Sequence, residues 1–109
     1  MRKHNLVSDN IYHIYNRGVE KRQLFMDEQD YSRFIKCLCL FNDSKPILNA
    51  GYKFKNLDDV AANRNMLVDI LAFCLMPNHF HLLLRQREKN GITKFMRKLC
   101  VGYANYFNL

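Results

Sequence analysis

The sequence predicts an α+β domain with the element order β-α-β-β-α, and three observations carry that prediction. Residues 10–17 and 78–84 alternate their side chains with a period of two. Residues 67–76 form a nearly continuous apolar run that stops at Pro77-Asn78. Two further stretches, one opening near Asp27 and one near Gly91, space their apolar residues as one face of a helix.

The first strand sets Ile11, His13, Tyr15 and Arg17 against Tyr12, Ile14 and Asn16, and Gly18 closes it. The set with His13, Tyr15 and Arg17 is the more polar face. Asp27 has the character of an N-cap, and Glu28 and Asp30 add negative charge to the first turn of the helix. Tyr31, Phe34, Ile35, Leu38 and Phe41 then form its apolar stripe, and the helix ends near Asn42-Asp43-Ser44. Residues 45–66 lose all periodicity. Pro46, Gly51 and several asparagines mark a long connection with one helical turn around residues 57–62, either a substrate-contacting excursion or a family-variable insertion.

Residues 67–76 read as a well-buried strand that turns at Pro77-Asn78 into a strand carrying His79, Phe80, His81, Leu82 and Leu84. The last helix places Ile92, Phe95, Met96, Leu99, Tyr103, Tyr106 and Phe107 on one stripe, with Thr93 as its cap and Gly102 as a weak point. This is a ferredoxin-like split βαβ layout without its final strand. In that layout the first and third strands are neighbours, and helices cover one face of the sheet. If Phe80, Leu82 and Leu84 face the helices, His79 and His81 lie on the open face, where His13, Tyr15 and Arg17 can join them.

Composition narrows the function. A chain of 109 residues, 49% hydrophobic and 25% charged, is one ordinary globular domain. Its net charge of +7 calls for an anionic partner. The charge is concentrated: Arg85, Arg87, Lys89, Lys94, Arg97 and Lys98 stand with Glu88 as the single acid between them, directly after the histidine strand. Nucleic-acid phosphate is the natural ligand of such a patch, and a solvated helix face is the alternative. Cys37, Cys39, Cys74 and Cys100 have no CxxC spacing and sit in apolar segments, as reduced core cysteines of a cytoplasmic protein do. No run is long enough for a membrane span, and the polar start Met1-Arg2-Lys3-His4-Asn5 is not that of a signal peptide. Two imidazoles side by side on a pleated strand can hold a divalent cation, or can simply hydrogen-bond to neighbours.

Taken together, Tyr12-His13-Ile14-Tyr15-Asn16-Arg17-Gly18, Met76-Pro77-Asn78-His79-Phe80-His81-Leu82-Leu83, Phe95-Met96 and Tyr103-Ala104-Asn105-Tyr106-Phe107-Asn108 resemble the REP-associated tyrosine transposases, within the insertion-sequence-200-like single-tyrosine HUH transposases. The resemblance spans essentially the whole chain. It implies a homodimeric nuclease that transposes DNA by cutting and rejoining single strands beside hairpins. By that resemblance His79 and His81 bind Mg²⁺ or Mn²⁺, the ion polarises the scissile phosphate, and a helical tyrosine forms a 5′-phosphotyrosine link.

The nucleophile departs from the family pattern. The catalytic tyrosine of the family lies on a later helix, whereas only 28 residues follow His81 here. Tyr103 and Tyr106 are the tyrosines of that tail, and both fall on the packing stripe. Tyr15 has the character of a sheet-packing residue or a stacking platform for a base. The expectation is therefore a chain lacking the last strand and the catalytic helix, with Asn108-Leu109 ending in mid-helix. A DNA-binding domain without chemistry of its own is the competing reading. An RNA-recognition fold fits less well because residues 78–84 offer histidines and leucines where that fold needs aromatics. A closed structural zinc site lacks nearby cysteine or carboxylate partners.

Overall fold

A computed structural model describes residues 9–107. The expectations for Met1–Asn5 and for Asn108-Leu109 therefore lie outside the described residues. The fold is α+β: a three-stranded antiparallel sheet with four helices, compatible with the ferredoxin-like split arrangement. The elements are β1 (Ile11–Arg17), α1 (Glu28–Leu40), α2 (Ala50–Lys55), α3 (Leu57–Asn63), β2 (Val68–Met76), β3 (His79–Gln86) and α4 (Gly91–Phe107), with a 3-10 turn at Val19–Lys21. The sheet order is β1-β3-β2, so the histidine strand is central and is hydrogen-bonded on both sides.

Alternation decides which face is covered. Phe80, Leu82, Leu84 and Gln86 of β3 are buried under the helices. Phe34, Cys37 and Leu38 of α1 and Ile92, Phe95, Leu99 and Tyr103 of α4 join them in the core, with Phe25 wedged against Tyr31, Phe34 and Tyr103. Each large side chain buried in this way contributes about 1.5–3 kcal/mol. Asp27 caps α1 as expected, its carboxylate accepting the Asp30 N–H at 3.0 Å.

Several expectations require correction. The α1 stripe buries Cys37 and Leu40 while Ile35 is 44% exposed, because the packed face is rotated slightly from the predicted one. The long connection holds two short helices; α2 was missed because Asn49 enters it through a left-handed conformation that no periodicity announces. β2 is not a well-buried strand. It lies at the sheet edge, and only Val68 in it is fully buried, while Leu71, Phe73 and Met76 are each more than two-fifths exposed. A register irregularity between Ile70 and Ala72 sets Leu71 outside the regular pairing. The cysteines divide accordingly: Cys37 is buried, but Cys74 of β2 is exposed. α4 starts two residues before Thr93, which is exposed within the helix; the cap is instead buried Gln86, whose Oε1 accepts the Ile92 N–H at 3.0 Å. Gly102 is a packing device rather than a weak point. A Cβ there would stand 2.3 Å from the Phe41 ring, so the helices can touch only because it is absent.

Candidate metal and nucleic-acid site on the open sheet face

The cross-strand register assembles the site. Tyr15 pairs with His81 and Arg17 with His79 across the β1–β3 ladder, while Cys74 and Met76 of β2 face the same two histidines from the other side. Directly paired residues point to the same face, so His13, Tyr15, Arg17, His79 and His81 share the face that the helices leave open. The predicted grouping of five side chains therefore holds.

Their contacts are close. His13 Nε2 lies 2.8 Å from His81 Nδ1, with the ring centroids 5.0 Å apart and the planes 10° from parallel. Tyr15 tilts over both histidines, its ring 4.9 Å from His81 and 5.6 Å from His79, and the Arg17 guanidinium sits 5.8 Å above the Tyr15 ring. His79 and His81 meet edge to face at 5.2 Å. His79 Nδ1 lies 2.8 Å from Asn78 Oδ1. Asn78 is itself fixed by the chain after β1, because its carbonyl accepts the Gly18 N–H at 2.9 Å, while the Pro77 carbonyl accepts from Leu24 at 2.7 Å and Phe25 at 3.2 Å. Gly18 is required there: a Cβ would come within 2.2 Å of the Arg22 carbonyl oxygen.

The electrostatics favour neutral imidazole. Desolvation, and then the neighbouring His13 and His79, hold the His81 ring below the ordinary histidine range. Neutral imidazole is the form that ligates a metal. Among the described residues no set of three or more His, Cys, Asp or Glu side chains is arranged to hold an ion. His79 and His81 are the two imidazoles of β3 that could hold a divalent ion, and two protein donors alone would leave most of its coordination positions open. By donor type the pair suits Mn²⁺ better than Mg²⁺.

The basic residues of 85–98 divide by the partners they hold. Arg85 and Arg87 both grip Asp69, at 3.0 and 2.9 Å. Burial pulls the Asp69 carboxyl upward, but Arg87 and Arg85 together hold it below its ordinary range. Lys94 pairs with Glu88 at 3.5 Å. Lys98 turns inward, donating to the Asp43 carbonyl and, at 2.8 Å, to that of Lys45; burial and nearby Lys53 lower its pKa against the pull of Asp43. Lys89 and Arg97 remain exposed. Asp69 was the missed residue, and the only signal for it was a single acid inside an apolar run.

The tyrosines of the tail lie on the other side of the sheet. Tyr103 is 6% exposed, its hydroxyl donates to the Leu24 carbonyl at 2.6 Å, and burial followed by Asp30 drives its pKa far upward. The Tyr106 hydroxyl donates to Asp30 at 2.7 Å, and that bond raises its pKa. Neither is brought to the histidines. Tyr15, 45% exposed, is the tyrosine that is.

The split α+β sheet thus carries a pair of histidines on the face its helices leave open, with Tyr15 and Arg17 of β1 beside them, the kind of polar sheet surface on which nucleic acid can be held. The model of the family described as IS200-like transposase matches residues 6–109, nearly the entire chain, and the protein belongs to that family. No curated protein and no solved structure matches it. DNA transposition is therefore its field of action and DNA its partner. No helix of the described residues is long and apolar enough to cross a membrane.

Proposed function

We propose that this chain engages single-stranded DNA beside a hairpin on its open sheet face and cleaves and rejoins it through a 5′-phosphotyrosine intermediate. The observation that supports this reading is the convergence of His13, Tyr15 and Arg17 with His79 and His81 through the Tyr15–His81 and Arg17–His79 register. His79 and His81 hold a divalent ion, which when bound withdraws charge from the scissile phosphate as a Lewis acid. Arg17 and Lys89 hold the flanking backbone, and Tyr15 offers an exposed ring on which a base can stack. In the chemical step a tyrosine oxygen bonds to phosphorus, the bond from phosphorus to the 3′ oxygen breaks, and a free 3′-hydroxyl departs. The bond energy is kept in the tyrosyl ester for rejoining.

A second reading has its own support. The hydroxyls of Tyr103 and Tyr106 are spent on the Leu24 carbonyl and on Asp30, on the covered side of the sheet. This favours a domain that binds DNA and receives its nucleophile from Tyr15 or a partner subunit, or performs no chemistry. A denaturing gel of the chain with labelled single-stranded hairpin DNA and Mn²⁺ separates the readings. A covalent adduct lost in His79→Ala establishes the tyrosine chemistry. DNA retained on a native gel with no adduct establishes the binder and rejects cleavage by this chain.

A further inference from the structure

We infer that His13 is a positioning residue for His81: it accepts the His81 Nδ1 proton and thereby fixes the tautomer whose Nε2 is free to bind a cation. The inference rests on the metal reading above.

The two histidines of β3 are restrained in the same way from opposite directions. Asn78 Oδ1 can only accept, so the 2.8 Å contact places a proton on His79 Nδ1 and leaves His79 Nε2 with its lone pair. The contact of 2.8 Å between His81 Nδ1 and His13 Nε2 admits two arrangements, because either nitrogen can carry the proton. If His13 Nε2 donates, His81 is protonated on Nε2 and presents no lone pair to a ligand there. If His81 Nδ1 donates, His81 Nε2 is free and matches His79. Only the second arrangement gives two equivalent donors on one face. A cation at His81 Nε2 requires the proton on Nδ1, the form an isolated imidazole disfavours; in this pair that form is held only with an acceptor at Nδ1, which His13 supplies through Nε2 when its own proton sits on Nδ1.

The ring geometry adds orientation. His13 lies 10° from parallel with His81, the two rings joined edge to edge through the 2.8 Å contact, and Tyr15 tilts over both β3 histidines from the same strand, so rotation of His81 about χ2 breaks that contact and meets the Tyr15 ring. β1 therefore acts as a jig for β3. Outer-shell partners of this kind set both tautomer and basicity of a ligating histidine, and losing one typically weakens binding about 10- to 100-fold.

The test has two readouts, one of them metal-free. In ¹⁵N-labelled protein without metal, long-range ¹H–¹⁵N correlation spectra report which ring nitrogen of each histidine carries the proton. We expect Nδ1–H for His81 in the wild type, a shift toward Nε2–H in His13→Phe, and recovery in His13→Gln, whose amide oxygen can accept. Mn²⁺ affinity measured by electron paramagnetic resonance should follow, falling at least about tenfold in His13→Phe and recovering in His13→Gln. Finding the His81 proton on Nε2 in the wild type overturns the inference, as does a His13→Phe protein with unchanged tautomer and affinity. A wild type with the expected tautomer but no Mn²⁺ binding overturns the metal reading instead. A circular dichroism melt of His13→Phe separates either result from unfolding.

Discussion

Proton location is the first consequence at the residue scale. Mn²⁺ and protons compete for the imidazole lone pairs, so affinity should fall as pH drops through about 6.5, the ordinary histidine range. His81, held below that range by desolvation and by its histidine neighbours, keeps its neutral form to lower pH. Mn²⁺ affinity that does not change between pH 8 and pH 5 would remove histidine ligation from the account. Tyr103 gives the opposite sign at the alkaline end. Its folded pKa is raised, so above about pH 10 the unfolded chain loses that proton while the folded one keeps it, and stability declines as pH rises. Absorbance at 295 nm should show Tyr103 ionising only with unfolding, and early ionisation would mean that it is not packed. Among thiols, exposed Cys74 should alkylate first. Cys37, whose pKa burial raises to about 11 despite Arg33 beside it, should stay unmodified until the chain unfolds.

Much of this residue chemistry was readable in advance. A period of two places His79 and His81 together without knowledge of any other strand, and the polar side of β1 had to lie on one face. The His13–His81 contact was not readable, because it depends on a cross-strand register that composition does not encode. The same holds for Asp69. Only the ladder shows that it faces Arg85 and takes Arg87 as well.

Between elements, two contacts carry more than their size implies. Asn42, buried at the end of α1, accepts from the Leu67 and Val68 N–H groups at 2.9 and 3.0 Å and donates to the Val68 carbonyl at 2.8 Å. It closes the connection of residues 45–66 by pinning the start of β2 to α1. Asn42→Ala strands three buried backbone groups and should cost about 3 kcal/mol, measurable by urea denaturation. A loss below about 1 kcal/mol would mean that water replaces the side chain. Gly102→Ala should destabilise by about 1–3 kcal/mol because its methyl enters the Phe41 ring, and Phe41→Leu should relieve that loss in the double variant. Additive losses would show that the two residues do not meet. The sequence showed Gly102 as a helix blemish, since propensity sees the chain and not the neighbour. It likewise showed β2 as a buried run, because apolar composition cannot distinguish a central strand from an edge strand with one uncovered face.

For the whole molecule, the distribution of charge decides how DNA is held. With Arg85 and Arg87 engaged by Asp69, and Lys98 bound to carbonyls, the exposed Arg17 and Lys89 remain for phosphate on the open face. Two contacts imply a slope of roughly −1.4 for log affinity against log salt on single strands. Asp69→Asn should free two arginines, raise affinity and steepen that slope by about 1. An unchanged slope would place Arg85 and Arg87 away from the DNA. The outer edge of β1 and the apolar side chains Leu71, Phe73 and Met76 on β2 also leave sheet surface uncovered within the described residues, which accords with the homodimer that the family resemblance implies. Sedimentation should therefore show self-association, and a strict monomer at high micromolar concentration would speak against it.

The central claim is that β1 and β3 together build an open two-histidine metal site that serves DNA. The most direct measurement is an electron paramagnetic resonance titration of Mn²⁺ into the wild type, His79→Ala and His81→Ala, each with single-stranded hairpin DNA. The account predicts binding in the wild type, strengthened by DNA, and a loss of at least about tenfold in each variant. Equal affinity across the three proteins would contradict it.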